Sequence, residues 1–393
     1  MTNVLHVLYQ SYPNISGSST RSKSIIDAMY HSQFFEPFVI TSPLQEGFTS
    51  SAKEYIDGVL YYRTFKGGND EFAVNRPKTF LTKLKKTLAF VFFTYDIYQV
   101  ARRENVDVIH AHAMAFCGLP AWLVARVLGK KFVYEIRSDW HLDKSFSSGP
   151  FFQNVFGKLE RFVAKKCDSL VVISSGLYNK YSKFNRNCYI VSNGVHDGLF
   201  SHSPISLTPF KTVEFGFIGS VIPLEGLEMV VKAIAKVKEL HNVKLVLKIA
   251  GMGESIESVK CKAKELNVEE QIIFFGTLPF EKVVNFYNEV DVIVNFRRDE
   301  EIAHSVTPLK PLEAMAQKKL VIVSDVKGML ELVTDNANGI VVPAEDIDAL
   351  ANVLFNVYQR PDLYISIVDK ASDYVRANYA WDKKITDYIE IYS

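Results

Sequence analysis

The sequence predicts an α/β protein built from two successive Rossmann-like domains. Three observations carry that prediction. The chain has 393 residues, which suits two ordinary domains better than one. Short apolar runs recur at intervals that leave room for a helix between them, and they are continuous rather than alternating, as in strands buried on both faces of a parallel sheet. The series runs twice, interrupted at 196–212 by a stretch without periodicity that contains Pro204 and Pro209.

In the first series the expected strands are 4–9, 38–41, 106–110, 131–136, 169–173 and 189–191, with helices at 119–128 and 152–165 among the connections. The second series has strands at 213–218, 245–250, 272–275, 290–294, 320–323 and 340–342, and helices at 227–240, 256–266, 280–287 and 347–357. A helix near 363–377 and a tail at 381–392 remain after the second sheet is complete, so the chain end is expected to cross back to the first domain. The expected domains are 1–197 with about 378–393, and 198–377. Ligands in open parallel sheets sit beyond the carboxyl ends of the strands. Two such domains are expected to face a central cleft that holds the site.

Composition narrows the function classes. A hydrophobic fraction of 48% with a net charge of +1 describes a globular, weakly charged protein and argues against nucleic acid as a partner. Cys117, Cys167, Cys188 and Cys261 are scattered without a CxxC pair, which fits neither a zinc site nor a disulfide framework but does fit a reducing compartment. No basic leader precedes the first apolar run, and no run approaches the ~18 residues that span a bilayer. A cytoplasmic location is expected.

The segment 76–103 adds a second possibility. Arg76, Lys78, Lys83, Lys85 and Lys86 precede the apolar run 88–93, Arg102 and Arg103 follow it, and no acid lies between Glu71 and Asp96. Such a helix either lies on the anionic inner face of a membrane or packs on a sheet with a solvated basic end. Periodicity does not separate the two.

Several groups cluster at expected strand ends. The hydroxyl-rich turn after the first strand contains Gly17 and Ser18 and leads into a helix, where it either approaches a phosphate or forms an ordinary loop capped by Ser19 or Thr20. His110 and His112 end a buried strand on one side of the pleat; a metal would want a third ligand that the sequence does not evidently offer, and none is expected. Glu135, Arg137, Asp139 and His141 close the next strand, and ionisable groups there must be solvated, paired or used. They are read as a cleft-facing cluster, with Arg137 and Asp139 toward the acceptor.

In the second half, small-residue turns recur at Gly219-Ser220, Gly251 to Gly253 and Gly276-Thr277, with Glu225-Gly226 opening a helix. Ser305, Val306 and Thr307 form a polar loop downstream of Arg297 and Arg298, feeding a short helix that bears Lys310 and Glu313. Lysine and helix N–H groups suit a diphosphate, and a glutamate one turn on suits ribose hydroxyls. The D-x-D at Asp346 and Asp348 precedes an apolar helix and reads as an N-cap.

These motifs together resemble the retaining family 4 glycosyltransferases of GT-B fold over nearly the whole chain, most strongly over 215–343. They also resemble a subset of bacterial surface-polysaccharide transferases. The resemblance implies that His112 contacts the donor sugar near its reacting carbon and that Glu313 binds the ribose. It places Gly17 beside the donor phosphates and the Gly251 and Gly276 turns around the nucleotide. Departures from the family pattern are Ser18 for a glycine, Ser305 for a glutamate, Ser220 for an arginine, Glu225 for a lysine and His196 for an aspartate. Two phosphate-binding cations are thereby missing, and Lys310 with Arg297 or Arg298 is expected to replace them.

The expected function is a metal-independent, cofactor-free, retaining hexosyl- or N-acetylhexosaminyltransferase of cell-envelope polysaccharide biosynthesis. Its donor is a UDP- or GDP-sugar, with UDP favoured, and its acceptor a glycan or lipid-linked oligosaccharide. Two alternatives stay open at this point: a nucleotide-sugar epimerase using the 135–141 cluster, and a non-catalytic nucleotide-binding partner of another transferase.

Overall fold

The computed structural model describes residues 1–14, 16–45, 51–64, 80–112, 114–139, 150–201, 203–208 and 212–393. Arg76, Lys78, Trp140 and His141 lie outside them, as do the side chains of Lys83, Lys85 and Lys86. The chain forms two compact units, Met1–Ser192 with Trp381–Ser393, and Asn193–Ala380.

The first unit runs β1 (Thr2–Leu8), α1 (Gly17–His31), β2 (Phe35–Thr41), β3 (Lys53–Ile56), β4 (Val59–Arg63), α2 (Phe80–Arg103), β5 (Val108–His112), α3 (Ala115–Leu128), β6 (Lys131–Ile136), α4 (Pro150–Lys166), β7 (Ser169–Val172), α5 (Ser175–Tyr181) and β8 (Cys188–Ile190). Its sheet has the order β3-β4-β2-β1-β5-β6-β7-β8, parallel except for the β3–β4 hairpin. That hairpin was not among the expected strands, although Asp57-Gly58 is a turn pair for one. Strand order reverses between β1 and β5, the position where such sheets bind ligands. Their register sets His6 opposite His110 and Leu8 opposite His112.

The second unit runs β9 (Glu214–Ile218), α6 (Leu227–His241), β10 (Val246–Ala250), α7 (Ile256–Glu265), β11 (Ile272–Gly276), α8 (Phe280–Asn288), β12 (Val292–Asn295), α9 (Glu301–Ser305), α10 (Lys310–Ala316), β13 (Leu320–Ser324), α11 (Lys327–Leu330), β14 (Ile340–Val342), α12 (Ile347–Gln359) and α13 (Ile365–Asn378). Its parallel sheet has the order β11-β10-β9-β12-β13-β14, with the reversal between β9 and β12. Asp346 caps α12 by accepting from the Ala349 N–H, the structural role read from the D-x-D.

The final turns, α14 (Trp381–Lys384) and α15 (Asp387–Tyr392), belong to the first unit. Trp381, Ile385, Tyr388 and Ile391 pack there with Val4, Ile25, Met29, Val108 and Val133. The unit boundary falls at 192/193 rather than at 197/198, and the aperiodic stretch 196–212 lies inside the second unit. The reason is local. Val195 donates to Tyr379 O and bridges Ala380, and Leu199 and Phe200 pack with Leu312 and Met315. Among the described residues no helix is long and apolar enough to cross a membrane.

Candidate functional site

Each unit carries a polar cluster at its strand-order reversal. In the second unit the turns after β9, β10 and β11 are laced together: Gly219 N–H donates to Ala250 O at 2.8 Å, Val221 to Met252 O at 3.0 Å, and Gly251 to Gly276 O at 2.7 Å. Gly219 and Gly251 have φ of +135° and +146°, which a side chain rarely tolerates. A Cβ on Gly251 would stand 1.8 Å from Gly219 O, and one on Gly219 would stand 2.2 Å from Lys310 Cε. These glycines therefore let backbone stack on backbone and let the lysine pass. Ser220, Gly253 and Thr277 form the exposed rim of the turns.

Lys310 begins α10 and turns inward. Its Nζ lies 2.9 Å from Glu225 Oε1 and 4.4 Å from the Phe217 ring centroid. Arg297 Nη2 donates to the same Glu225 oxygen at 3.1 Å, while its Nη1 donates to Val306 O at 3.3 Å. Burial alone would raise the Glu225 carboxyl, but Arg297 and Lys310 hold it at about 2. Burial lowers the Lys310 ammonium, and Glu225 opposes that. Two cations thus share one carboxylate, leaving a net positive charge. Arg297 Nε and Glu225 Oε2 are buried without a hydrogen-bond partner among the described residues.

Glu313 lies one turn along α10. Burial raises its carboxyl to about 7 against the pull of Lys310 and the nearby Tyr287 hydroxyl. The loop between β12 and α10 is fixed from below: Asn193 Nδ2 donates to Thr307 O at 2.7 Å, and Ser305 Oγ to Ile302 O at 3.3 Å. Arg298 does not join the cluster; it is half-exposed and reaches Glu345 at 3.4 Å.

In the first unit, β1 and β5 bring His6, His110 and His112 together, all buried. His6 is the third ring that the sequence did not evidently offer; β5 became its neighbour only through the fold. His110 and His112 have ring centroids 3.9 Å apart and planes 32° apart. One ring nitrogen from each of His6, His110 and His112 lies within 4.8 Å of the others, a grouping that could hold a metal ion. Arg137 also donates to His112 Nδ1. The arrangement is a hydrogen-bonded relay.

Glu135 anchors that relay. Its Oε1 accepts from Arg21 Nε at 3.0 Å and Arg137 Nε at 2.7 Å, and its Oε2 accepts from Tyr388 Oη at 2.9 Å. Burial would raise its carboxyl, yet Arg21 and Arg137 hold it well below the usual range. Arg137 also donates to Ser18 O and Ser22 Oγ at 2.8 and 2.7 Å. Asp139 spends its oxygens on Lys180 at 2.8 Å and Tyr181 at 2.9 Å. The polar atoms of Arg137 and Asp139 are thus engaged within the protein, holding the strand end, where the sequence suggested an acceptor-facing cluster. Glu135, the carboxylate of the cluster proposed for an epimerase, is wholly buried and not presented to a sugar, while His141 lies outside the described residues.

Gly17 is exposed, and a Cβ there would meet nothing within 4 Å. The helix behind it is capped by Ser16, which forms a reciprocal pair with Ser19, so neither Ser19 nor Thr20 is the cap. His196 accepts from the Gly198 N–H at 3.1 Å. Sequence reasoning missed His6, Tyr287, Tyr388, Tyr392 and the anchoring role of Glu225. Only His6 had a local signal, a lone imidazole in the apolar run 4–8.

Two Rossmann-like units with parallel sheets, the chain end returning to the first, define the GT-B class. The family model described as Glycosyltransferase Family 4 matches residues 56–198, and that described as Glycosyl transferases group 1 matches residues 202–373. The chain belongs to the glycosyltransferases that combine these two domains. Among solved structures, sucrose-phosphate synthase from Thermosynechococcus elongatus superposes with a TM-score of 0.76 at 15% identity, covering 100% of this chain and 98% of that one. Anabaena HepE in complex with UDP-glucose does so at 0.71 and 15%, covering 99% and 100%.

Among curated relatives, an uncharacterized glycosyltransferase of Methanocaldococcus jannaschii is 29% identical over 45% of this chain and 43% of its own length. A second from that organism is 23% identical over 62% of each. The D-inositol 3-phosphate glycosyltransferase of Corynebacterium urealyticum is 22% identical over 79% and 77%. The matches span about half the length of the first two.

Proposed function

We propose that the protein transfers a hexosyl or N-acetylhexosaminyl group from a UDP-sugar to a glycan or lipid-linked oligosaccharide, with retention and without a metal ion. One observation carries the reading. Lys310 and Arg297 converge on Glu225 beneath the Gly219 turn, at the strand-order reversal of the second unit, and leave one positive charge and a buried Arg297 N–H for a diphosphate. Breaking the anomeric C–O bond of the donor leaves negative charge on the departing diphosphate, and preorganised cations lower that barrier. Those side chains occupy the role that a divalent ion would otherwise fill. Glu313 accepts the ribose hydroxyls, and the Gly251 and Gly276 turns line the nucleotide.

UDP is favoured because Anabaena HepE, a structural neighbour, binds UDP and UDP-glucose. Retention follows from the family 4 resemblance. A lipid-linked acceptor at a membrane suits the helical face of the first unit. There α3 packs against both α2 and α4, and Phe92, Val127, Phe156 and Phe162 are exposed. Lys158, Arg161, Lys165 and Lys166 are exposed along α4, whose only acid, Glu160, is buried. Basic and apolar groups side by side suit an anionic bilayer.

Thermal unfolding with UDP, GDP and a panel of their sugars tests the donor. A ligand at ~100 times its dissociation constant adds about 2.7 kcal/mol, and UDP-sugars are expected to raise the melting point most. No shift with any of them would remove the donor assignment. Transfer from the selected donor is expected to be unchanged by EDTA.

A further inference from the structure

We propose that Arg137, itself held by Glu135, sets the tautomer of His112, so that His112 serves only as a neutral Nε2–H donor and never as a base. The argument starts from what each atom is able to do. Arg137 carries donors and no acceptor, so His112 Nδ1, which receives its Nη2, is a lone pair. The hydrogen of a neutral His112 is therefore on Nε2, and it points at His6 Nδ1, 2.7 Å away. His6 then carries its own hydrogen on Nε2, a buried donor without a hydrogen-bond partner among the described residues.

Both nitrogens of His112 are thus occupied, and the two bonds differ in strength. A charge-assisted bond is roughly twice as strong as a neutral one, and Arg137 is further tied to Glu135, Ser18 and Ser22. The bond that yields to a sugar hydroxyl is the one to His6. This step rests on the reading that His112 meets the donor sugar; the tautomer itself does not. His6 stands as the resident acceptor that the hydroxyl displaces, and Arg137 and His6 are positioning residues.

Of the groups around His112, Glu135, with Oε1 3.6 Å from Nδ1, favours the charged ring, and burial with the Arg137 charge outweighs it. His6 comes from β1, His110 from β5, Glu135 and Arg137 from β6, Arg21 from α1, and Tyr388 and Tyr392 from α15. Tyr388 holds Glu135 Oε2, and Tyr392 Oη lies 2.7 Å from His110 Nδ1. Burial and the Arg137 charge push the His112 imidazole down to about 3.

The test reads the ring directly. In full-length protein with 15N-labelled histidine rings, His112 is expected to show an unprotonated Nδ1 and a protonated Nε2 that do not change between pH 5 and 9. A protonated Nδ1, or titration within that range, would overturn the proposal. His6→Asn keeps an acceptor at the Nδ1 position and is expected to leave the His112 signals in place, whereas His6→Leu is expected to shift them. An unchanged His112 signal in His6→Leu would also count against it. At saturating donor, Arg137→Met is expected to lower kcat at least ~10-fold and to add an acid limb to the pH profile of kcat that the wild type lacks, with KM for the donor within about 2-fold of the wild type at each pH, and Arg137→Lys to remove that limb. If Arg137→Met does not fold, the wild-type spectra and the His6 pair still decide. The expected spectra with no transfer activity would sink the donor reading and leave the tautomer assignment intact.

Discussion

Lys310 Nζ stands 2.9 Å from Glu225 Oε1, so the acid that takes the place of an expected phosphate-binding lysine is paired with a lysine from a different element. That lysine is the first residue of α10. Arg297 joins the same oxygen, so two cations meet one carboxylate.

Lys310→Ala is the direct test of that exchange. Glu225 keeps Arg297 as its partner, so the fold is expected to survive. The turnover number with a UDP-sugar is expected to fall ~100-fold or more if the ammonium stabilises the leaving diphosphate. Steady-state kinetics decide it, and full turnover in the variant rules the role out.

Glu225→Gln probes the opposite side of the pair. It leaves two buried cations facing each other without their anion, a change that costs about 3–5 kcal/mol when a buried pair is broken. The variant is expected to melt earlier than the wild type. A diphosphate would then supply the missing negative charge, so UDP is expected to raise its melting point by more than it raises that of the wild type. An equal or smaller shift would mean that the diphosphate does not sit on Lys310 and Arg297.

Glu313 adds a pH dependence whose sign is fixed. Burial lifts its carboxyl to about 7, above the value of an unfolded chain. The folded protein therefore holds a proton that the unfolded chain releases near pH 4.5. The stability tied to that proton is complete below pH 4.5 and is lost as pH rises through 7, by at most about 3 kcal/mol. Ribose hydroxyls prefer the carboxylate, so UDP-glucose affinity is expected to strengthen from pH 6 to pH 8. Calorimetry of the wild type and Glu313→Gln across that range checks both parts. The variant should bind more weakly with a flat profile, and a flat wild-type profile would show that Glu313 is not the ribose acceptor.

The apolar runs placed the strands well, because strands covered on both faces leave few polar interruptions. The β3–β4 hairpin escaped because β3 alternates exposed and half-buried residues and lies at the sheet edge. The glycine turns were legible for a similar reason: backbone stacked on backbone excludes a side chain whatever else the site contains. Partner choice was not legible. Arg137 and Asp139 crowd a strand end, and the rule that such groups must be solvated, paired or used does not say which. The fold chose pairing, through Glu135, Lys180 and Tyr181. Glu225 read as a lost cation for the same reason, since Lys310 and Arg297 come to it from other loops of the second unit.

The last prediction concerns the exposed face of α2, α3 and α4. Val91, Phe92 and Tyr95 of α2 and Val127 of α3 are all more than half exposed. An apolar groove of about 430 Å³ runs between the two helices, lined by residues that include Phe90, Tyr98 and Leu123. On α4 the exposed Lys158, Arg161, Lys165 and Lys166 adjoin Phe156 and Phe162. A Lys or Arg near an anionic surface contributes about 1 kcal/mol, and salt screens that attraction within a Debye length. The protein is expected to sediment with vesicles containing phosphatidylglycerol at 0.15 M salt, the order of physiological ionic strength, and far less with zwitterionic vesicles. Reversing the four α4 charges to glutamate should weaken that binding by at least ~100-fold, whereas Phe156→Ser with Phe162→Ser should weaken binding to both vesicle types. Equal sedimentation on the two, or a concentration-dependent dimer that hides this face, would place something other than an anionic bilayer against it.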